Sequence, residues 1–109
     1  MQNQARVETD RALDASERGV ERIIPGWTGA AVNFIHEYAQ AHRSFTTEQV
    51  RAAAADKIPN PPDGRAWGPA VRKAVRLGYI EFSSFAVASD PSVHSNVVKV
   101  WRSRVGGGQ

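Results

Sequence analysis

Four cations, Arg65, Arg72, Lys73 and Arg76, share a stretch in which no Asp or Glu occurs between positions 65 and 77. On a 3.6-residue period they fall on one side of a helix, while Trp67, Ala70, Val71, Ala74 and Leu77 fall on the other. Such a helix packs its apolar stripe on its own domain and presents guanidinium and ammonium groups outward. Guanidinium pairs bidentately with the acceptor edge of guanine, and all four groups suit phosphate, so the expected chemistry is recognition of nucleic acid in a major groove. A solvated helix face is the plain alternative; the missing acid sets this stretch apart.

Other residues fit the same chemistry more loosely. Lys99, Arg102 and Arg104 touch the phosphate backbone from a strand, or guard an exposed edge against aggregation. Thr46, Thr47 and Gln49 sit at a helix start, where neutral donors reach phosphate, although capping alone accounts for Thr46. His94 lies in a polar loop and is either a turn residue or a phosphate contact. The DNA-contacting set expected from sequence is therefore Arg65, Arg72, Lys73, Arg76, Lys99, Arg102, Arg104, Thr47 and His94. Trp27, Trp67 and Trp101 suggest base stacking, but their places at apolar positions or beside a helix breaker favour the core. His36 and His42 stand six apart, on different helix faces, without a carboxylate or thiol set, so no metal site is expected. Neither a Gly-rich phosphate loop nor clustered carboxylates are present, and the expectation is a binding protein without catalysis or cofactor.

The bulk of the chain agrees with a soluble globular domain: 109 residues, 41% hydrophobic and 23% charged. No apolar run approaches the ~18 residues of a membrane span, and the polar opening MQNQARVETD has no signal-peptide core. The absence of Cys removes disulfides and thiolate metal sites, and the cytoplasm is the expected setting. The net charge of +3 is unevenly placed. Residues 1–64 hold seven Lys and Arg against nine Asp and Glu, whereas residues 65–109 hold seven against two. Such asymmetry favours an anionic partner met by one face.

The elements that must position these groups are readable in order. Residues 1–5 are expected to form a loose tail, followed by a helix over 6–24 with Val7, Leu13, Val20 and Ile24 as sparse apolar points. Asp14–Arg18 and Glu8–Arg11 are spaced to pair along it. This helix either packs on its own domain or dimerises with a copy of itself. Pro25-Gly26 ends it, and Thr28 is the expected N-cap of a second helix with Ala31, Phe34, Ile35, Tyr38 and His42 on one face. After a break at Arg43-Ser44, Thr46 and Gln49 form a capping box, with Phe45 and Val50 as its hydrophobic staple, for a helix reaching about Lys57. The Pro-rich segment 58–64 is a connection. Asp63 is the expected N-cap of the basic helix, whose start Pro69 either kinks or delays, and Gly78 closes it. Residues 79–88 read as a strand whose alternation slips between Phe82 and Phe85, the mark of a bulge. A polar loop over 89–96, a strand over 97–102 and a flexible tail over 106–109 complete the chain.

Helices followed by a two-stranded ribbon, with a capped short helix leading into a basic one, give an α+β, mostly α, winged helix-turn-helix: a three-helix core and C-terminal wing (28–105) preceded by an extra N-terminal helix and hinge (1–27). The sequence also resembles a group of small phage and prophage proteins. The matching positions are Phe45, Thr46 and Val50 in the capped helix, Arg65, Ala66, Gly68, Arg72, Ala74, Gly78 and Ile80 in and after the basic helix, His94 in the loop, and Val98, Val100, Trp101 and Arg102 in the last strand. The resemblance covers about two-thirds of the chain and implies a winged helix of phage or prophage origin, working in a bacterial host cytoplasm. Loops in that group often carry several Arg, whereas this one offers only His94.

Two functions follow. The first is binding of double-stranded DNA in phage transcription control or replication. The second is a protein-interaction adaptor that uses the same fold to grip a host or phage protein, in keeping with the near-neutral wing and the acid-balanced first half.

Overall fold

The computed structural model describes residues 2–87 and 97–106, with side chains from Leu13 onward. The elements run α1 (Gln2–Ile23), α2 (Trp27–Ala41), β1 (Ser44–Thr46), α3 (Thr47–Ala54), a 3₁₀ turn (Gly64–Ala66), α4 (Trp67–Arg76), β2 (Ile80–Val87) and β3 (Val97–Ser103). Among the described residues this is an α+β fold, mostly helical, with one antiparallel three-stranded sheet in the order β1-β3-β2. No helix among the described residues is long and apolar enough to cross a membrane.

Helix boundaries show which local signals were sufficient. α1 already starts at Gln2, within the segment expected to be a loose tail; Gln and Ala there are good helix formers. It ends before Pro25-Gly26 as expected, but the next cap is a correction. Gly26, at φ 84°, holds the N-cap of α2, and Thr28 sits buried inside the first turn. The cap comes from across the junction: Glu21 accepts hydrogen bonds from the Gly26 N–H at 2.7 Å and the Thr28 N–H at 2.8 Å. A carboxylate at a helix N-terminus satisfies two orphan donors and meets the positive end of the helix dipole.

The capping box at α3 is complete. Thr46 Oγ1 accepts from the Gln49 N–H, and Gln49 Oε1 accepts from the Thr46 N–H at 2.9 Å. The break expected at Arg43-Ser44 instead leads into a strand that takes in the staple and cap residues: Ser44, Phe45 and Thr46 pair with Arg102, Trp101 and Val100. β3 is thereby central, and the expected two-stranded ribbon is part of a three-stranded sheet.

Asp63 accepts from the Arg65 N–H at 2.9 Å, but it caps the 3₁₀ turn, and α-helix proper begins at Trp67. Pro69 then falls at the third helical position, where an N–H has no intrahelical acceptor, so the ring costs no bond. Gly78 closes α4 at φ 83°: its N–H donates to Val75 O and that of Tyr79 to Ala74 O, the paired bonds of a Schellman cap. The register of β2 on β3 shifts between Phe82 and Ser84, which is the bulge expected there.

The core lies between α2, α4 and the sheet. Ala31, Ala39, Ala70 and Ala74 are wholly buried, and these small side chains let the two helices approach closely. Trp27, Ile35, Val50 and Ile80 fill the layer; fully burying each contributes about 1.5–3 kcal/mol before entropy is counted. Trp27 meets Trp67 edge to face at 5.1 Å, and its indole N–H donates to Pro59 O at 2.7 Å, pinning the Pro-rich connection. Val20 of α1 belongs to the same core. Leu77, expected on the buried side of the basic helix, is exposed beside the Gly78 cap instead.

Candidate nucleic-acid interface

α4 presents its cations along one side, and α1 lies against that side. Gly68 makes the crossing possible, because a Cβ there would stand 2.8 Å from Leu13 Cδ2. One helical step farther, Arg72 Nη2 meets Asp14 Oδ1 at 2.7 Å, and Lys73 Nζ meets Glu17 Oε2 at 2.7 Å. The Arg72 side chain keeps only 22% of its surface and Lys73 40%.

This corrects the outward basic face. Two of its four cations are turned to carboxylates of α1, because Asp14 and Glu17, three residues apart, share the helix side that faces α4. Asp14 was expected to pair with Arg18 along its own helix. Its hydrogen bond from Arg72 is the main influence holding the carboxyl below its ordinary range, with Arg72, Arg18 and Arg76 adding their charges and burial opposing them. Arg76 remains exposed at the end of α4, and Arg65 is exposed in the 3₁₀ turn before it, 3.5 Å from Asp63.

The sheet gives a second, weaker group. Arg102 grips Glu81 through Nε and Nη2 at 2.8 and 2.5 Å, and Arg104 approaches the same carboxylate at 3.8 Å. Two cations thus share one acid. Lys99 is exposed and places its ammonium 5.9 Å from the Trp101 ring centroid. Thr47 Oγ1 accepts the indole N–H of Trp101 at 3.0 Å, which ties α3 to β3 and engages the hydroxyl expected to meet phosphate. His94 and the loop over 89–96 lie outside the described residues.

Trp27 and Trp67 are buried, whereas Trp101 is only half-buried. His36 packs on Tyr79, and His42 stacks on Tyr38 with its Nδ1 3.0 Å from Tyr38 O. Among the described residues no group of three or more His, Cys, Asp or Glu is placed to hold a metal. The exposed cations Arg65, Arg76 and Lys99 can offer charge and hydrogen bonds to an anion.

What sequence reasoning missed is the acidic side of α1 and an apolar trough beside α4. The trough, about 480 Å³, lies between Leu13, Gly68, Val71 and Val75 on one side and Phe82 and Trp101 on the other. The slip in alternation at the bulge was the available signal for its aromatic wall. Compared with known proteins, the chain matches no family model, no curated protein and no solved structure.

Proposed function

We propose that the protein is a winged helix-turn-helix DNA-binding module of phage or prophage origin, acting in the bacterial cytoplasm in transcription control or replication. In this reading α3 is the positioning helix, α4 the recognition helix and the β2–β3 ribbon the wing. It binds double-stranded DNA rather than catalysing a reaction. The observation that carries it is the α3–α4–β2–β3 order, with β1 adding to the sheet beside β3, together with the charge of residues 65–109, seven cations against two acids.

The carboxylates of Asp14 and Glu17 occupy the ground that phosphates would take beside Arg72 and Lys73. Each pair keeps part of its surface in water, where the attraction is screened, so a duplex with its dense phosphate array is an effective competitor for both cations. α1 is anchored at its other end by Val20 in the core and Glu21 on the α2 cap. In this reading the part of α1 that carries Asp14 and Glu17 gives way to the duplex while Val20 and Glu21 keep the helix attached.

The test is titration of random-sequence duplex at several salt concentrations, with wild type and an Arg72→Ala/Lys73→Ala/Arg76→Ala variant. Counterion release predicts affinity that falls steeply with salt and a clear loss in the variant. Binding that is indifferent to both would sink the reading.

A further inference from the structure

The inner face of the sheet does not end where the helices end. Strand register puts Ile80, Phe82, Phe85 and Val87 of β2 on the same side as Trp101, Lys99 and Val97 of β3 and Phe45 of β1. Phe45 and Ile80 are buried under the helices. Past the helical layer, Phe82 is 46% exposed, Phe85 63%, Val87 72% and Val97 56%. Phe85 and Phe82 touch edge to face at 5.2 Å, and Phe82 and Trp101 at 6.4 Å. The trough against α4 continues this surface, and its volume of about 480 Å³ lies within the ~300–1,000 Å³ usual for binding clefts. A contiguous apolar surface of this sort marks an interaction site.

Charge says what kind of partner fits. The ionised residues lining the trough are Arg72 and Lys99, with no Asp or Glu among them; Arg76, exposed, follows Val75 on α4. Asp14 pairs with Arg72 at the edge of the trough. Duplex phosphates fit this surface poorly, because against Val75 and Phe82 they would lose hydration without gaining donors. The walls from Leu13, Val71 and Val75 are aliphatic and suit side chains better than stacked bases. We propose that the trough and the exposed aromatic ribbon form the docking site for a peptide segment of a partner protein, one in which bulky apolar side chains are flanked by Asp or Glu. The apolar side chains enter between α4 and β2, and the carboxylates meet Lys99 and Arg76. Its apolar walls take no part in duplex binding, whereas Arg76 and Lys99 are shared with it, and the site gives the adaptor reading of the sequence its chemistry.

The test uses the full chain on an array of short synthetic peptides in which acidic or basic residues are combined with Leu, Phe or Ser, followed by anisotropy titration of the best acidic peptide. Retention should require both acid and bulky apolar residues. Phe82→Ala/Phe85→Ala should weaken the titrated peptide at least about tenfold, Lys99→Glu about threefold to tenfold, and Arg65→Ala not at all. All four positions are exposed, and circular dichroism checks that the variants fold. Absence of any acidic-peptide binding, equal retention of basic peptides, or undiminished binding in the double Phe variant overturns the proposal. Two further results would do the same. One is a concentration-dependent dimer abolished by the Phe variant, which assigns the surface to a second copy. The other is displacement of the peptide by oligo-dT at lower concentration than unlabelled peptide, which assigns it to single-stranded nucleic acid.

Discussion

Arg72 and Asp14, 58 positions apart, are joined by a 2.7 Å hydrogen-bonded ion pair that fastens α1 across the basic side of α4. With Lys73 and Glu17 beside it, this contact makes the electrostatics of α4 depend on a helix from the other end of the chain. If α4 meets a duplex as proposed, phosphate and α1 are alternatives for the same two cations.

Neutralising the acids should therefore favour DNA. Asp14→Asn/Glu17→Gln is expected to tighten duplex binding about threefold to tenfold at moderate salt. It should also steepen the slope of log K against log salt by up to about 2, roughly 0.9 for each cation released to a phosphate. Anisotropy titrations at three salt concentrations measure both; weaker binding by this variant would show that α1 assists rather than competes.

Acid should loosen the α1–α2 junction. Glu21 is held below its ordinary range first by the Thr28 N–H and then by the Gly26 N–H, with burial opposing, and Asp14 is lowered chiefly by its hydrogen bond from Arg72. A carboxylate with a depressed folded-state pKa contributes stability in full above its unfolded value and loses it as pH falls through the folded value. The loss should begin below about pH 4. Hydrogen exchange at the Gly26 and Thr28 amides reports it directly. Glu21→Gln should flatten that pH dependence and cost about 1 kcal/mol at neutral pH, as lost N-caps do.

Thr47 separates scaffold from contact. Thr47→Val keeps the shape but leaves the Trp101 indole N–H without its acceptor, for a loss of about 1–3 kcal/mol. Denaturant unfolding should show that loss while duplex affinity, measured where both proteins are folded, stays unchanged. A lower affinity at unchanged salt slope would instead mark the hydroxyl as a phosphate contact, since a neutral donor releases no counterion.

Gly78 supplies a left-handed residue, φ 83°, and a Cβ there meets nothing within 4 Å, so strain is the whole effect of replacing it. Gly78→Ala should destabilise by about 1–2 kcal/mol through the αL penalty. Since it leaves every cation in place, DNA affinity well below the unfolding midpoint should be unaltered.

Signals contained within a few residues were legible in the sequence. The Thr46–Gln49 box, the Gly78 stop, the Asp63 cap and the slip between Phe82 and Phe85 each depend on neighbours, and each has its counterpart in the structure. Features decided by distant partners were not. β1 is three residues long, too short for a period-two pattern, and exists because β3 offers its free edge. Glu21 reads as one more acid on a polar helix until α2 begins beside it. Arg72 and Lys73 read as outward cations because the periodicity of α4 says which side they occupy but not what covers that side.

The bulge at Ser83 also sets which length changes the ribbon can bear. Phe82 faces Trp101 and Phe85 faces Lys99, so both rings lie on one side only because Ser83 is the extra residue between them. Deleting Ser83 would restore plain alternation and leave both rings where they are. Deleting Ala86 would turn the residues beyond it to the opposite side, as any slip of one does. The same stretch of β2 thus holds one position where the chain can shorten by a residue and keep its faces, next to others where it cannot.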